Sequence, residues 1–342
     1  MTIPTSGPVS FNTLKNEYND TNPVRLNEFY RGGLVPNSTI NNGSVPTSGE
    51  ISLSDLRGSS NEFVAVVSSS TTQLNLQTLF TSSAWSSSVP KRVEINSGVV
   101  IGSSSISTPA LTVGGGAGGV VRINNAGSIQ GAGGSANSGN GGPAVRANSP
   151  TQIQNTGQIY AGGGGGGRGG TGGSGSCSNN PPTPTPCPCG GGNTRCEGGS
   201  CPCGGGTTQC CCQAVAGLPQ CRVVCCRPSG CTNPGGGNPP VSGGIGGAGG
   251  RGRGYTQSNL DGVNGSLGPD CSGPSGRTGG RGGRGGFGGT WGVTGERGDT
   301  GLNGNLGGGS AGTPGGSAGN YIINDSNVTW IGGRGTVAGG VA

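Results

Sequence analysis

The 342-residue sequence has no histidine, and charged residues make up only 9% of it. Histidine is the commonest general acid–base group in enzymes, and without it a Cys–His nucleophile cannot be built. The 13 acidic residues are scattered, with no paired arrangement suited to catalysis. We therefore predict that the protein is not an enzyme and that it has no catalytic or cofactor-binding residue.

Apolar and aromatic residues are also scarce, at 28% and 4% of the chain. No stretch approaches the roughly 18 apolar residues of a membrane span, and the N-terminus has no basic segment followed by an apolar run. The sequence predicts neither Sec export nor membrane insertion. Apolar residues become rarer after residue 160, so a large side-chain core is not expected there.

Glycine is abundant instead, with 83 residues, and part of it is regularly spaced. It occurs at every third position from Gly273 to Gly288 and, after a one-residue slip at Trp291, from Gly292 to Gly307. Three residues per turn is the period of the polyproline II helix, whose backbone must find hydrogen-bond partners sideways. Collagen shares this period, but Pro274 is the only proline in the stretch. We predict a bundle of glycine-rich polyproline-II-type helices; disorder is the alternative, because ordering glycine costs much entropy.

Short strand-like segments recur 28 and then 30 residues apart. The matched isoleucines are Ile95, Ile123 and Ile153 in one set, and Ile101, Ile129 and Ile159 in another. "PALTV" from 109 and "PAVRA" from 143 form a second repeated element, and "NVTWIGGRGTVAGG" from 327 is a last copy. Such recurrence is typical of stacked units that bury their apolar faces against each other. A β-solenoid-like rod is predicted, with Asn96, Asn125 and Asn155 in structural roles at its turns.

The first 60 residues contain three copies of a smaller unit: "SGPVSFNTL" from 6, "TNPVRLNEF" from 21 and "SGEISLSDL" from 48. Each predicts a short strand followed by one helical turn, capped by Asn12, Asn27 and Ser54 respectively. Units of this size must pack on each other or on a partner. An attachment module is the favoured interpretation, and a small independent domain is the alternative.

The sequence therefore predicts a mainly β protein in three parts. Residues 1–60 are strand–turn–helix attachment repeats, and residues 61–160 are stacked strands. Residues 161–342 form the glycine-rich domain, with a Cys-rich insertion at 177–231 and closing strands at 321–342.

Thirteen of the fourteen cysteines lie in that insertion. The fourteen disulfide candidates are Cys177, Cys187, Cys189, Cys196, Cys201, Cys203, Cys210, Cys211, Cys212, Cys221, Cys225, Cys226, Cys231 and Cys271. Their density favours disulfide cross-links, formed outside the reducing cytoplasm or after release from the cell. The alternative is an all-thiolate zinc or iron–sulfur site, although the spacing matches no standard finger. We predict disulfides and no metal or other cofactor.

"RGGRGGFGG" at 281–289 is similar to the Arg-Gly-Gly boxes of RNA-binding tails. It lies within the three-residue glycine register, which an unconstrained tail would not need. The arginines are therefore interpreted as outward side chains of a packed helix. Nucleic-acid binding remains an alternative, and no nucleic acid is predicted as a partner.

Three N-terminal stretches, "IPTSGPVSFNTLKNEY", "NPVRLNEFYRGG" and "VPTSGEISLSDLRG", resemble N-terminal segments of tail-associated virion proteins of bacteriophages. The stretch from "VEINSGVVIG" to "QIQNTGQIYAGGGGGG" and the ending "SAGNYIINDSNVTWIGGRGTVAGGVA" resemble the glycine-rich receptor-recognition region of phage tail fibres and tail-tip proteins. These stretches span about two-thirds of the chain. The Cys-rich insertion departs from the family pattern.

The resemblance implies a structural protein of the virion tail, a fibre or baseplate-associated adhesin, made in the host cytoplasm and working outside the cell. Residues 1–60 would dock on other tail or baseplate proteins. The glycine-rich end would bind a host surface glycan or outer-membrane protein, and the protein would form a homo-oligomer, expected to be a trimer. The receptor-contact candidates are Tyr255, Arg281, Arg284, Phe287, Trp291 and Arg297, and each could instead form a lid over the bundle end. A glycine-rich cell-surface adhesin is the alternative function.

Overall fold

The computed structural model describes residues 2–21, 23–176, 240–269 and 279–342, together with the backbone of two further strands, Cys210–Gln213 and Arg222–Cys225. Strands dominate the described residues and helices are few, which confirms the prediction of a mainly β protein. Fifteen of the strands form three five-stranded sheets, and every pairing within these sheets is parallel.

Successive strands along the chain belong to the three sheets in turn. Sheet A contains β1 (Phe63–Val67), β4 (Lys91–Ile95), β7 (Val121–Asn125), β10 (Thr151–Asn155) and β15 (Val328–Trp330). Sheet B contains β2 (Thr71–Thr72), β5 (Val100–Gly102), β8 (Ser128–Gln130), β11 (Gln158–Tyr160) and β16 (Thr336–Ala338). Sheet C contains β3 (Leu74–Asn75), β6 (Leu111–Val113), β9 (Val145–Ala147), β14 (Asn320–Ile323) and β17 (Gly340–Val341). The remaining strands, β12 (Cys210–Gln213) and β13 (Arg222–Cys225), pair antiparallel. Because the chain visits A, B and C in turn, each triplet is one rung of a three-sided parallel solenoid.

Alternating side chains fill the solenoid interior. In β4 and β7 every second residue is buried, as expected for strands with one face in the core. Ile101, Ile129 and Ile159 stack in register across sheet B and are at most 1% exposed, as the repeat predicts. Burying one such side chain contributes about 1.5–3 kcal/mol.

The predicted register is wrong by two residues in sheet A. Ile95 pairs with Asn125 rather than with Ile123, whose true partner is Val93. The four-residue turn 96–99 after β4 is two residues longer than the turn 126–127 after β7. The predicted alignment matched isoleucines before these turns as if the turns had equal length. The strands that precede the turns were therefore aligned two residues out of register. Asn96 therefore lies outside the stack that Asn125 forms with Asn155.

Residues 2–61 pack as a small separate cluster, and here the strand predictions are wrong. Apart from two isolated bridges, the described residues of this part contain α1 (Phe11–Tyr18), α2 (Thr39–Asn42) and a 3-10 turn at Leu26–Glu28. Their core consists of Ile3, Leu14, Tyr18, Phe29, Val35, Val45 and Leu56. Two alternating apolar residues are too few to hold a strand without a neighbouring strand.

The predicted caps are also wrong. Ser10 caps α1, with its Oγ accepting from the N–H of Thr13, whereas Asn12 lies inside the helix. Asn27 lies within the 3-10 turn and Ser54 within a non-helical turn. The other helical elements are α3 (Ser82–Ser86) and 3-10 turns at Leu76–Leu79 and Asp325–Asn327.

The glycine-rich chain, residues 161–319, leaves the solenoid within the fourth rung, between β11 and β14. Its described residues form extended segments joined by backbone hydrogen bonds, which we call the glycine array. The central segment, 161–176, donates to a neighbour on each side at intervals of three residues. Gly163, Gly166, Gly169 and Gly172 donate to Arg253, Gly250, Gly247 and Gly244 at 2.8–2.9 Å. Gly164, Gly167, Gly170 and Gly173 donate to Val293, Glu296, Asp299 and Leu302 at 2.8–3.0 Å.

Close approach of backbones explains why this central segment is glycine. Residues 161–167 are all buried. A Cβ on Gly166 would overlap the carbonyl oxygen of Gly286, and one on Gly164 would overlap that of Gly316. In this array backbone contact replaces the side-chain core that the sequence lacks.

Candidate functional site

The segments of the glycine array run back and forth between two ends. At the proximal end, next to the solenoid, Tyr255 donates its N–H to the carbonyl of Gly131, and Gly292 donates to that of Ala161, both at 3.0 Å. At the opposite, distal end, Ser176 N–H donates to Oδ1 of Asn305 at 2.8 Å. The connections 176–240, 269–279 and 303–309 all start and finish at this distal end. Residues flanking the Cys-rich segment are therefore held at the end farthest from the solenoid.

Two of the predicted receptor-contact residues, Tyr255 and Trp291, lie at the proximal end. Trp291 stacks on Tyr160 of β11, with ring centroids 5.6 Å apart, and the Arg253 guanidinium lies 5.5 Å from the Trp291 ring. The Tyr255 ring covers Gly102 of β5 so closely that a Cβ there would overlap it. Both aromatic rings thus pack the array against sheet B.

The other four candidates lie along the sides of the array. Arg281, Arg284 and Phe287 follow each other at three-residue spacing, and the Arg284 guanidinium lies 4.2 Å from the Phe287 ring centroid. Arg284 Nε also lies 4.0 Å from a carboxylate oxygen of Asp299. The exposed Arg297 donates to the carbonyl of Gly312 at 2.8 Å. These side chains face solvent, and each also contacts a neighbouring residue of the array.

Exposed apolar side chains occur along the whole length of the glycine array, a feature that the sequence interpretation missed. They are 48–69% exposed and comprise Ile245, Leu260, Val263, Leu267, Val293, Leu302 and Leu306. Each stands in a glycine-rich or polar stretch with no apolar partner in sequence, which is the signal that could have revealed them. At the distal end this set includes Leu267, Leu302 and Leu306.

The N-terminal cluster has its own exposed apolar residues: Phe11, Leu34 and Ile40, which are 44%, 38% and 57% exposed. Seven other residues form its buried core, the remaining apolar residues around them are partly buried, and Tyr18 donates its hydroxyl to Oγ of Ser59 at 2.6 Å. Burial raises the pKa of Tyr18 to about 12. This part of the chain thus combines a rigid core with an apolar outer surface.

No metal-binding group of three or more His, Cys, Asp or Glu occurs among the residues that the structure describes. The same residues include no helix long and apolar enough to cross a membrane. All fourteen cysteine side chains lie outside the described residues, so the choice between disulfides and metal ligation stays a prediction.

A backbone-bonded scaffold that carries exposed apolar side chains is typical of proteins that recognise surfaces. Residues 62–342 match the family model described as "Phage tail fibre adhesin Gp38". The chain belongs to this family of phage tail fibre adhesins, as the resemblance predicted, and it is accordingly a component of the virion tail.

One solved structure is also similar: the "gp37-gp38 adhesin tip complex of the bacteriophage S16 long tail fiber". The identity is 16%, the alignment covers 99% of this chain and 100% of that chain, and the TM-score is 0.39. No curated protein matches the chain.

Proposed function

We propose that this adhesin recognises the bacterial surface through the distal end of its glycine array and docks on the phage tail through residues 2–61. The observation that carries the first part is the common position, at the end away from the solenoid, of the described residues 176, 240, 269, 279 and 303–309. Exposed Leu302 and Leu306 lie there on a backbone-bonded support. The target is a host surface glycan or an outer-membrane protein.

The segments of the array are proposed to be polyproline-II-type helices packed side by side. The support is the interval of three residues between successive lateral hydrogen bonds, which is the period of that helix. A helix with no internal hydrogen bonds leaves its donors free for neighbours, so the connections can vary in sequence while the array keeps its geometry.

Among the predicted contact residues, Arg281, Arg284, Phe287 and Arg297 are proposed to extend the recognition surface along the side of the array. Tyr255 and Trp291 are proposed instead to hold the array on sheet B. Their ring contacts with Gly102 and Tyr160 support this division.

Docking through the N-terminal cluster is supported by its exposed Phe11 and Ile40 and by its separate core. The family match begins at residue 62, immediately after this cluster. Other tail or baseplate proteins are the proposed partners. A trimeric state, disulfides in the Cys-rich insertion and the absence of nucleic-acid binding stay predictions.

Two full-length variants separate the two roles. Leu306→Glu places a charge on a distal side chain that is already exposed, and we expect it to weaken adsorption of the purified protein to host cells strongly without loss of incorporation into virions. Phe11→Glu combined with Ile40→Glu should do the reverse. Ile106→Glu, at an exposed apolar residue outside both surfaces, is the control and should preserve both activities. Normal adsorption by Leu306→Glu together with loss of adsorption by the N-terminal variant would refute the assignment.

A further inference from the structure

A groove crosses the corner between sheets A and B, and none of its lining residues belongs to either surface discussed above. In the third and fourth rungs this corner is a two-residue turn, 126–127 and 156–157, whereas the turns on either side are longer. Turn 96–99 belongs to the second rung and turn 331–335 to the fifth, and most of their residues are exposed. The short turns therefore form the floor of a saddle between two raised walls, which we call the corner groove.

The corner groove has two halves that meet at Ala126 and Thr156. The half on the sheet B side has a volume of about 340 Å³, and the half on the sheet A side about 280 Å³. Each is comparable to a small ligand pocket. The floor consists of small residues, including Gly127 and Gly157, so an elongated ligand can lie across the corner.

The chemistry of the lining is that of amides and hydroxyls. Asn96, Ser97 and Gln154 line the sheet A half, and Gln158 and Thr336 line the other half. The exposed side chains in this lining include those of Asn96, Ser97 and Gln154. None of these three side chains makes a hydrogen bond to another described residue. Neighbouring rungs repeat such groups about every 4.8 Å along the solenoid.

Charge and backbone geometry restrict the occupant. Glu94 is the only charged residue that lines either half, and it is paired with Arg92. Arg334, in the wall turn 331–335, lies 3.9 Å from a carboxylate oxygen of Asp325 and donates to the Tyr321 hydroxyl at 2.6 Å, so both nearby arginines are already paired. The strands beside the groove in rungs three and four are paired on both edges, which leaves no free edge to which a peptide strand could be added. A neutral chain rich in hydroxyl groups matches what remains.

We infer that the corner groove binds a neutral carbohydrate chain of the bacterial surface, as a second contact independent of the distal end. Amide side chains can both donate to and accept from sugar hydroxyls. A second site on the same protein would raise the effective concentration of the distal end at the cell surface.

The test is titration of the full-length protein with the O-polysaccharide and with the core oligosaccharide, each released from lipopolysaccharide of bacteria that adsorb the protein. Saturation-transfer NMR and calorimetry would detect the binding. We expect one of these two probes to bind. The double variant Gln154→Ala with Gln158→Ala should weaken binding by about tenfold, as expected for the loss of one or two hydrogen bonds. Thr156→Trp, which fills the point where the halves meet, should abolish it.

Gln152→Ala is the matched control, because Gln152 lies on the same strand and the same face as Gln154 but outside the groove. The carbohydrate affinity of this variant should be unchanged. Thermal melting confirms that each variant is folded. Leu306→Glu should retain carbohydrate binding, so a failure at the distal end is distinguishable from a failure here. Absence of binding by both probes, or undiminished binding by folded variants of the groove, would overturn the inference.

Discussion

Gly166 shows how the absence of a side chain allows the segments of the glycine array to pack closely. Its N–H donates to Gly250, its carbonyl accepts from Ser138, and a Cβ would overlap the carbonyl oxygen of Gly286. No side chain can be accommodated without separating segments that hydrogen bonds hold together. A methyl group here is therefore a test of the whole packing arrangement.

We expect Gly166→Ala to destabilise the array by about 3 kcal/mol, the upper range for forcing extra atoms into a packed interior. Calorimetric melting and hydrogen exchange of the array amides would measure this. The control is Gly308→Ala, because a Cβ at Gly308 meets only Oδ1 of Asn303 at an ordinary contact distance of 3.4 Å. Equal melting temperatures for the two variants would contradict backbone packing as the source of stability.

Tyr18 should make the N-terminal cluster less stable at alkaline pH. Burial raises its pKa from 10.0 to about 12, so between these values the unfolded chain loses the phenolic proton while the folded chain keeps it. The contribution is complete below pH 10 and is lost as the pH rises towards 12, by about 3 kcal/mol in total. Urea unfolding at pH 9, 10, 11 and 12 would show the decline. Tyr18→Phe should flatten that part of the profile, and an unchanged slope in the variant would show that another group is responsible.

Individual rungs of the solenoid show which elements the sequence could reveal. The match of Ile101 with Ile129 and Ile159 could be predicted because the same apolar residue recurs within each of these strands, and the pairing of Leu111 with Val145 because each follows a Pro-Ala pair. The shift at Ile95 was not readable, because a two-residue difference in turn length leaves the local strand pattern unchanged. The sequence also could not predict which segments of the glycine array are neighbours, since backbone hydrogen bonds between them leave no side-chain pattern.

The candidate site was predictable only in part, for a related reason. The three-residue glycine register predicted that the side chains of Arg281 and Arg284 point outward from the array. Nothing in the spacing shows which turns are proximal, so Tyr255 and Trp291 could not be separated from distal residues before their contacts with sheet B were known.

The proximal turn that carries Trp291 is the element that fastens the array to sheet B. Trp291→Ala removes the stack on Tyr160 and the contact with Arg253, and we expect a loss of about 2 kcal/mol for this half-buried ring. Limited proteolysis of the array should accelerate, and Trp291→Phe should restore most of the protection. Phe287→Ala, on the side of the array, serves as the comparison. If its effect matched that of Trp291→Ala, the proximal turn would have no special role.

The molecule as a whole is a solenoid with the glycine array inserted into its fourth rung. The inserted chain leaves and returns at one point, because Gly319 donates its N–H to the carbonyl of Gly162 at 2.9 Å. After the return, β14 to β17 complete the fourth rung and add a fifth. The solenoid core is continuous across this junction, with Ile159 and Ile322 both fully buried.

This arrangement predicts that the solenoid folds without the array. Replacing residues 163–318 with a two-glycine linker should leave the β-sheet circular dichroism and a cooperative melting transition, at a lower temperature because Tyr160 and Gly102 lose their aromatic covers. The shortened protein should still enter virions through residues 2–61 and should no longer adsorb to cells through a distal end. Any carbohydrate binding at the corner groove should persist, because the lining residues remain. Loss of sheet structure on this deletion would instead mean that the array supports the rungs from which it emerges, and that the two parts fold as one unit.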